Sequence, residues 1–263
     1  MSDAVNVIEK YVTSIEWIRE KLLPMDAMAD PILGIRDWDD AVCVAFGGRK
    51  LVVSSDGPYT KRLVLKSALI HAATDVVVKG ARPVFATDTV IGPREDVEEM
   101  IESLRRQALS MRIPILGGNT LFEDDAEPRC SLTVVGELLL DEPIRDSTAC
   151  KGDVIVLLGE PIWGGQEQRI EAAKKLFDTW YGILTSGIAI NAAKDVTKGG
   201  LAAVVYEMEG KSGLKFNLSR ELPYPMSRNL DNFVLTLCEE ECDKMMVVCR
   251  KEECRLHKVG VVG

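Results

Sequence analysis

Histidine is almost missing from this chain: of 263 residues only His71 and His257 carry an imidazole. A Ser-His-Asp hydrolase therefore has little to be built from. The familiar phosphate-binding signatures are missing as well. There is no G-x-x-x-x-G-K-[ST], no G-x-G-x-x-G after a strand, no kinase loop and no G-x-S-x-G. No apolar run approaches the roughly 20 residues that span a bilayer, and Met1-Ser2-Asp3 opens no signal peptide. The expectation is a cytoplasmic protein without a membrane partner. Positive charge is scarce: 32 Lys and Arg face 41 Asp and Glu, a net charge of −9. That argues against a nucleic-acid partner, and a nucleotide ligand would need divalent cations to neutralise it. Seven cysteines, an odd number without a secretion signal, point to reduced thiols. Cys43, Cys130 and Cys249 lie in apolar runs and read as small core residues. The group Cys238, Cys242, Cys249, Cys254 lacks a tight C-x2-C knuckle, which favours buried or incidental thiols over a metal site.

What is present is enough for a core: 46% of the residues are hydrophobic, and the length allows one large domain or two ordinary ones. The most informative stretch runs from Leu51 to Gly92. LVVSS reads as a buried strand ending on the turn Asp56-Gly57-Pro58. Apolar residues at helical spacing from about Arg62 to Lys79 predict a helix stopped by Gly80, and PVFATDTVI predicts the next strand. Asp75 lies inside that otherwise apolar helix, so it needs a cation or a donor to face. His71 stands one turn before Asp75 and shares its face, although a core or surface role is favoured over a catalytic one.

Elsewhere the pattern predicts an amphipathic helix over 4–23 and a loop in which Asp37, Asp39 and Asp40 precede the strand AVCVAF. Those acids read as a solvated turn or as part of a cation site, the turn being favoured on composition. Gly47-Gly48 predicts a hairpin into LVVSS. A helix follows over PREDVEEMIESLRRQALSMR, then a strand IPIL running into a Gly117-Gly118-Asn119-Thr120 turn, then a strand RCSLTVVGELLL. A polar connector from Asp141 to Gly152 suggests a domain boundary. Beyond it we expect a strand DVIVLLG and a helix near 166–185. A helical segment over 186–208, broken by DVTKGG, should follow, with Asp195, Thr197 and Lys198 at the restart. The tail reads as a strand LKFNL, a helix near 227–238, a strand KMMVVC and a final KVGVVG. Carboxylates beside glycine-rich turns, with almost no histidine, suit magnesium–phosphate chemistry.

These elements, in this order, resemble the AIR synthase-like superfamily, which includes AIR synthase (PurM), formylglycinamidine synthetase, thiamine-monophosphate kinase, HypE and selenophosphate synthetase. SSDGPYTK at 54–61 resembles the D-G-V-G-T-K turn, and ATDVVVKGARPVFATD at 73–88 resembles N-D-x-x-x-x-G-A-x-P. GGNT at 117–120 corresponds to G-G-[DE]-T, DVTKGGLAAVVYEM at 195–208 resembles D-V-T-G-G-G-L, and DDAV at 39–42 resembles a D-D-A-A strand start. Within the superfamily the chain is most similar to the archaeal branch called methanogenesis marker protein 2. The resemblance implies a two-domain α/β PurM-like fold, with a short N-terminal segment (1–38), an ATP-binding domain (39–148) and a C-terminal α/β domain (149–263) that reads as shortened. It further implies a homodimer whose N-terminal sheets close a barrel, with ATP and Mg2+ as cofactors and a small-molecule phosphoryl acceptor.

Carried over residue by residue, Asp39, Asp40, Asp56 and Asp75 would hold the metal, and Lys61 and Asp195 would act on the transferred phosphate. Asp56, Gly57, Lys61, Asp75, Gly117, Gly118, Asn119, Thr120 and Lys198 would line the nucleotide site. Asn119 stands where relatives carry an acid, and Pro58-Tyr59 replace the glycine-lined part of the turn. Pro58-Tyr59 argue against PurM's own substrate, and Asn119 raises the alternative of a catalytically weak nucleotide-binding accessory protein acting through a partner.

Overall fold

In the computed structural model, which describes Glu16 and residues 18–263, two five-stranded sheets follow one another along the chain. Most of the helix expected over 4–23 lies outside the described residues. The first sheet contains β1 (Val42–Phe46), β2 (Arg49–Thr60), β3 (Ala81–Gly92), β4 (Ile115–Phe122) and β5 (Arg129–Leu138). Its order is β1-β2-β5-β3-β4, antiparallel except for the parallel β3–β4 pair at one edge. Gly47 and Gly48, both at positive φ, make the expected hairpin turn between β1 and β2. β5 alternates buried and half-buried residues along its length, as a strand with one face on a core should.

Four helices of this half matter to the site. Helix α1 (Asp26–Ala29) is a single turn in the loop before β1, whereas the expected 62–79 helix is split into α2 (Lys61–Val64) and α3 (Ala68–Val78). The split leaves backbone groups without helical partners, and side chains of α4 (Arg94–Met111) take them up. Gln107 donates to the Val64 carbonyl (2.8 Å) and accepts from the Leu69 N–H (3.1 Å), while Ser103 donates to the same carbonyl (3.0 Å). Nine of the eleven α3 residues are buried, which explains its nearly uniform apolar sequence.

The second sheet has the order β7-β9-β6-β10-β8, all antiparallel, from β6 (Val154–Leu158), β7 (Ala192–Asp195), β8 (Phe216–Leu218), β9 (Phe233–Leu237) and β10 (Leu256–Val262). Its helices are α5 (Gln166–Thr185), α6 (Gly200–Ser212) and α7 (Glu239–Lys251). One hydrophobic core runs from the first sheet through α3 and α5 into the second. The Trp180 indole on α5 seals that junction by donating to the Val77 carbonyl on α3 at 2.7 Å.

Five expectations are corrected. Asp56-Gly57-Pro58 does not end the strand; β2 continues to Thr60 across a bulge between Asp56 and Tyr59. Gly117 to Thr120 are not a turn but lie inside β4, an exposed edge strand. The first part of the 186–208 segment is strand β7, not helix. The helix expected near 227–238 is instead the interior strand β9, paired on both sides; its five residues are all buried, with Phe233, Leu235 and Leu237 in one core cluster and Val234 in the other. KMMVVC belongs to helix α7: its buried residues, Cys242, Met245 and Cys249, follow helical spacing, and Val247 between them is exposed.

Candidate functional site

The acids singled out by sequence converge where α3 of the first half meets β7 and the loop before β9 of the second. β2 ends its regular pairing at Asp56, the bulge then turns Tyr59 back, and the Tyr59 hydroxyl donates to Asp56 Oδ2 at 2.6 Å. Gly57 is required inside this bulge: it sits at φ +115°, and a Cβ there would fall 2.8 Å from the Cys130 carbonyl oxygen. Asp75, on α3, accepts from Ser54 Oγ at 2.8 Å, the donor its apolar surroundings demanded. Asp195 closes β7 and is almost wholly buried; among the described residues its Oδ2, like Oδ2 of Asp39 and of Asp40, has no hydrogen-bond partner.

These carboxylates feel one another. Burial and the neighbouring Asp195, Asp40 and Asp56 charges hold the Asp75 carboxyl well above the usual range. Burial and Asp40 push Asp195 up to about 7, against the opposing pull of Lys194 and His71. His71 supplies part of the missing positive charge. Its Nδ1 lies 2.6 Å from Asp231 Oδ1 and its Nε2 3.5 Å from Asp56 Oδ2, so it bridges the two halves of the molecule. Burial lowers its basicity, but Asp231 and Asp56 more than reverse this and raise it to about 10. Arg169 of α5 stands 3.9 Å from the second Asp231 oxygen.

Asp39 and Asp40 are placed differently. Lys79, at the C-terminal end of α3 and fully buried, lies 2.9 Å from Asp39 Oδ1 and 3.5 Å from Asp40 Oδ2. Lys194 of β7 bonds Asp40 Oδ1 and lies 3.3 Å from Glu207. Lys211 reaches Asp146 at 2.6 Å, and Arg145 pairs with Asp37. Burial alone would raise the carboxyls of Asp39 and Asp40, yet Lys79 beside the first and Lys194 beside the second hold both below the usual range.

Other candidate residues lie apart from this junction. Lys61 turns toward α4, pairing with Asp96 at 2.6 Å and with Glu99. Lys198 sits in the loop between β7 and α6. Gly118 pairs with Asp88, Asn119 with Thr89 and Thr120 with Val90. Three strand spacings separate this edge from Asp56, since Asp56 faces Leu132, Leu132 faces Asp88 and Asp88 faces Gly118. At about 4.8 Å per strand the gap is roughly 14 Å, so GGNT and the acid junction do not meet within one chain. Gly118 has its own structural reason: a Cβ there would fall 1.7 Å from the Asp88 carbonyl oxygen. Gly117, at φ +126°, has open space where its Cβ would be.

Sequence reasoning missed Lys79, Lys194 and Asp231. A lysine at the end of VVVKG and another in AAKD, both within apolar runs, carried the same signal as Asp75: a charge in a hydrophobic segment needs a partner. The cysteine group holds no metal geometry; Cys242, Cys249 and Cys254 are buried, Cys238 is exposed, and none of the seven cysteines forms a disulfide. No three His, Cys, Asp or Glu among the described residues are already arranged to hold a metal ion.

The description "AIR synthase related protein, N-terminal domain" matches residues 38–138, and "AIR synthase related protein, C-terminal domain" matches residues 151–258. This chain belongs to the AIR synthase related family. It is 36% identical over 252 residues to an uncharacterized protein of Methanocaldococcus jannaschii, covering 93% of this chain and 82% of that one. It is 28% identical to phosphoribosylformylglycinamidine synthase subunit PurL of Corynebacterium aurimucosum, covering 82% of this chain but 34% of PurL. Among solved structures, the HypE chain of a HypE–HypF complex aligns with a TM-score of 0.68 at 20% identity, covering 92% of this chain and 93% of that one. T. maritima PurL complexed with ADP gives 0.73 at 18% identity, covering 85% and 42%. The two-sheet architecture is thus the PurM-like two-domain fold, and the chain spans about a third to two fifths of the PurL chains it matches. Among the described residues no helix is long and apolar enough to cross a membrane.

Proposed function

We propose that this protein binds ATP with magnesium at the junction of its two halves and transfers a phosphoryl group to a small metabolite. The observation that carries the reading is the carboxylate group Asp56, Asp75 and Asp195, in which burial and neighbouring acids hold Asp75 and Asp195 above the usual carboxylate range. Close carboxylates that resist ionising together gain from a divalent cation. Magnesium commonly takes only one or two protein carboxylates, the phosphates and waters completing its shell. The donor set therefore fits the ion without a preformed all-protein cage. Asp56 and Asp75 would hold it, and it would supply charge neutralisation on the phosphates. The chain's own contribution is placement: Ser54 and Tyr59 fix the rotamers of Asp75 and Asp56, and His71 ties Asp56 to Asp231. Asp195 and Lys198, on either side of the β7–α6 loop, would flank the transferred group. PurL of T. maritima has been solved with ATP and with ADP, which supports the nucleotide.

A homodimer belongs to the same proposal. The edge strand β4 is exposed along nearly its whole length, and Phe46, Val84, Leu116 and Phe122 offer apolar surface on the first sheet. A second subunit would cover them and could bring GGNT and Lys61 to the partner's nucleotide. The narrower placement in the methanogenesis marker protein 2 branch is likewise proposed, on the sequence resemblance given above. Asn119 is the one feature that favours the accessory reading.

Calorimetric titration of ATP with magnesium tests the proposal, run beside an Asp56→Ala/Asp75→Ala variant. Micromolar binding that requires both magnesium and the aspartates is the expected result. Absence of binding in the unaltered protein, as a dimer of confirmed mass, sinks it.

A further inference from the structure

The acids nearest the site divide into two groups that differ in what neutralises them. Asp39 and Asp40 already have cations, and these are lysines that cannot leave. Lys79 is fully buried and Lys194 is nearly so; they come from α3 and β7, one from each half of the molecule. Lys79 also donates to the Ala193 carbonyl at 3.2 Å, which pins its head group between the two acids and the β7 backbone. Asp40 is faced by a cation on both sides: Lys194 bonds its Oδ1, and Lys79 lies 3.5 Å from its Oδ2, an ion pair without a hydrogen bond. A metal ion at this pair would have to displace both ammonium groups, leaving the fully buried Lys79 with only the Ala193 carbonyl to accept from it and Lys194 with only Glu207.

We infer that Lys79 and Lys194 are the resident cations of the Asp39–Asp40 pair, so that a divalent ion entering the junction is held by Asp56 and Asp75 and by neither Asp39 nor Asp40. Both lysines meet the Asp40 carboxylate, whereas Ser54, which orients Asp75, meets only the Asp40 backbone carbonyl (3.2 Å), so the pair can be changed without touching the Asp75 contact. This assignment rests on the magnesium–nucleotide reading and narrows it.

Manganese serves as the probe, its binding in the presence of a non-hydrolysable ATP analogue followed by the electron paramagnetic resonance of the free ion. Asp39→Asn/Lys79→Met removes one acid and one cation together, so the local charge is unchanged and affinity should stay within about twofold. Asp75→Asn should weaken it on the order of 10–100-fold, as loss of groups supporting a metal commonly does. Asp40→Asn/Lys194→Met repeats the first comparison, in case the first pair change does not fold. If the pair changes weaken manganese as much as Asp75→Asn, the inference is overturned while the nucleotide site stands. If the unaltered protein binds no manganese with the analogue, both fail.

Discussion

The two carboxylate groups at the junction occupy similar ground and behave in opposite ways. Asp37, Asp39, Asp40, Asp146 and Glu207 are interleaved with Lys79, Lys194, Lys211 and Arg145. Asp56 and Asp231 face His71, Asp231 also has Arg169 at 3.9 Å, and Asp195 feels Lys194 and His71. In the first group Asp39 and Asp40 are pulled below the usual carboxylate range despite their burial. Asp146 is the exception, pushed to about 6 by burial with Lys79 and Lys211 only partly offsetting it. In the second, Asp75 is pushed up by burial and by the Asp195, Asp40 and Asp56 charges, and Asp195 by burial and the Asp40 charge. Burial alone therefore does not mark a ligand site. What separates a structural acid from one that still needs a cation is whether the fold has already delivered a lysine to it.

The contrast can be broken most forcefully at its acids. Asp56→Ala/Asp75→Ala should remove magnesium-dependent ATP binding outright, and calorimetry reads this directly. The lysine side gives the next largest effect. Lys79→Met alone leaves Asp39 and Asp40 facing each other without their buried cation, and should cost about 3–5 kcal/mol in urea unfolding. Asp39→Asn/Lys79→Met should recover most of that loss.

A smaller effect sharpens the other group. The folded-state value of Asp195 is raised above its ordinary 3.8 to about 7. The folded protein then binds this proton more tightly than the unfolded chain, so the stability it contributes is full below about pH 4 and is lost as pH rises towards 7. Without metal or nucleotide, stability between pH 5 and 7.5 should fall more steeply in the unaltered protein than in Asp195→Asn, as thermal melts would show. The smallest effect is expected at Lys61, whose partners on α4 are largely solvated. Lys61→Ala should barely move the melting temperature. A large loss of nucleotide affinity in that variant would show that Lys61 leaves α4 when the ligand arrives.

Much of the fold was legible in the residues. The strand–helix–strand core from Leu51 to Gly92, helix α4, strand β5, and helix α5 at 166–185 all announce themselves by periodicity and by their Gly and Pro boundaries. The misread elements share a cause. Phe233–Leu237 and Ala192–Asp195 are short and become strands because a neighbouring strand accepts their hydrogen bonds, whereas KMMVVC becomes helix because one face of it meets the core. Neither partner is visible from inside the segment.

The same division holds for the site. Sequence alone determined the inventory: an acid inside an apolar helix at 75, acids at a strand end and a helix break at 56 and 195, an acid pair at 39–40, a glycine-rich GGNT, and a net negative charge that calls for cations from elsewhere. Which acids received a lysine, that His71 would meet Asp231, 160 residues further along the chain, as well as Asp56, and that GGNT would stand on the far edge of the sheet were decided only by the tertiary structure. The reason is that charge neutralisation acts through a few ångströms of space, and residues far apart in sequence become neighbours only when the two sheets dock.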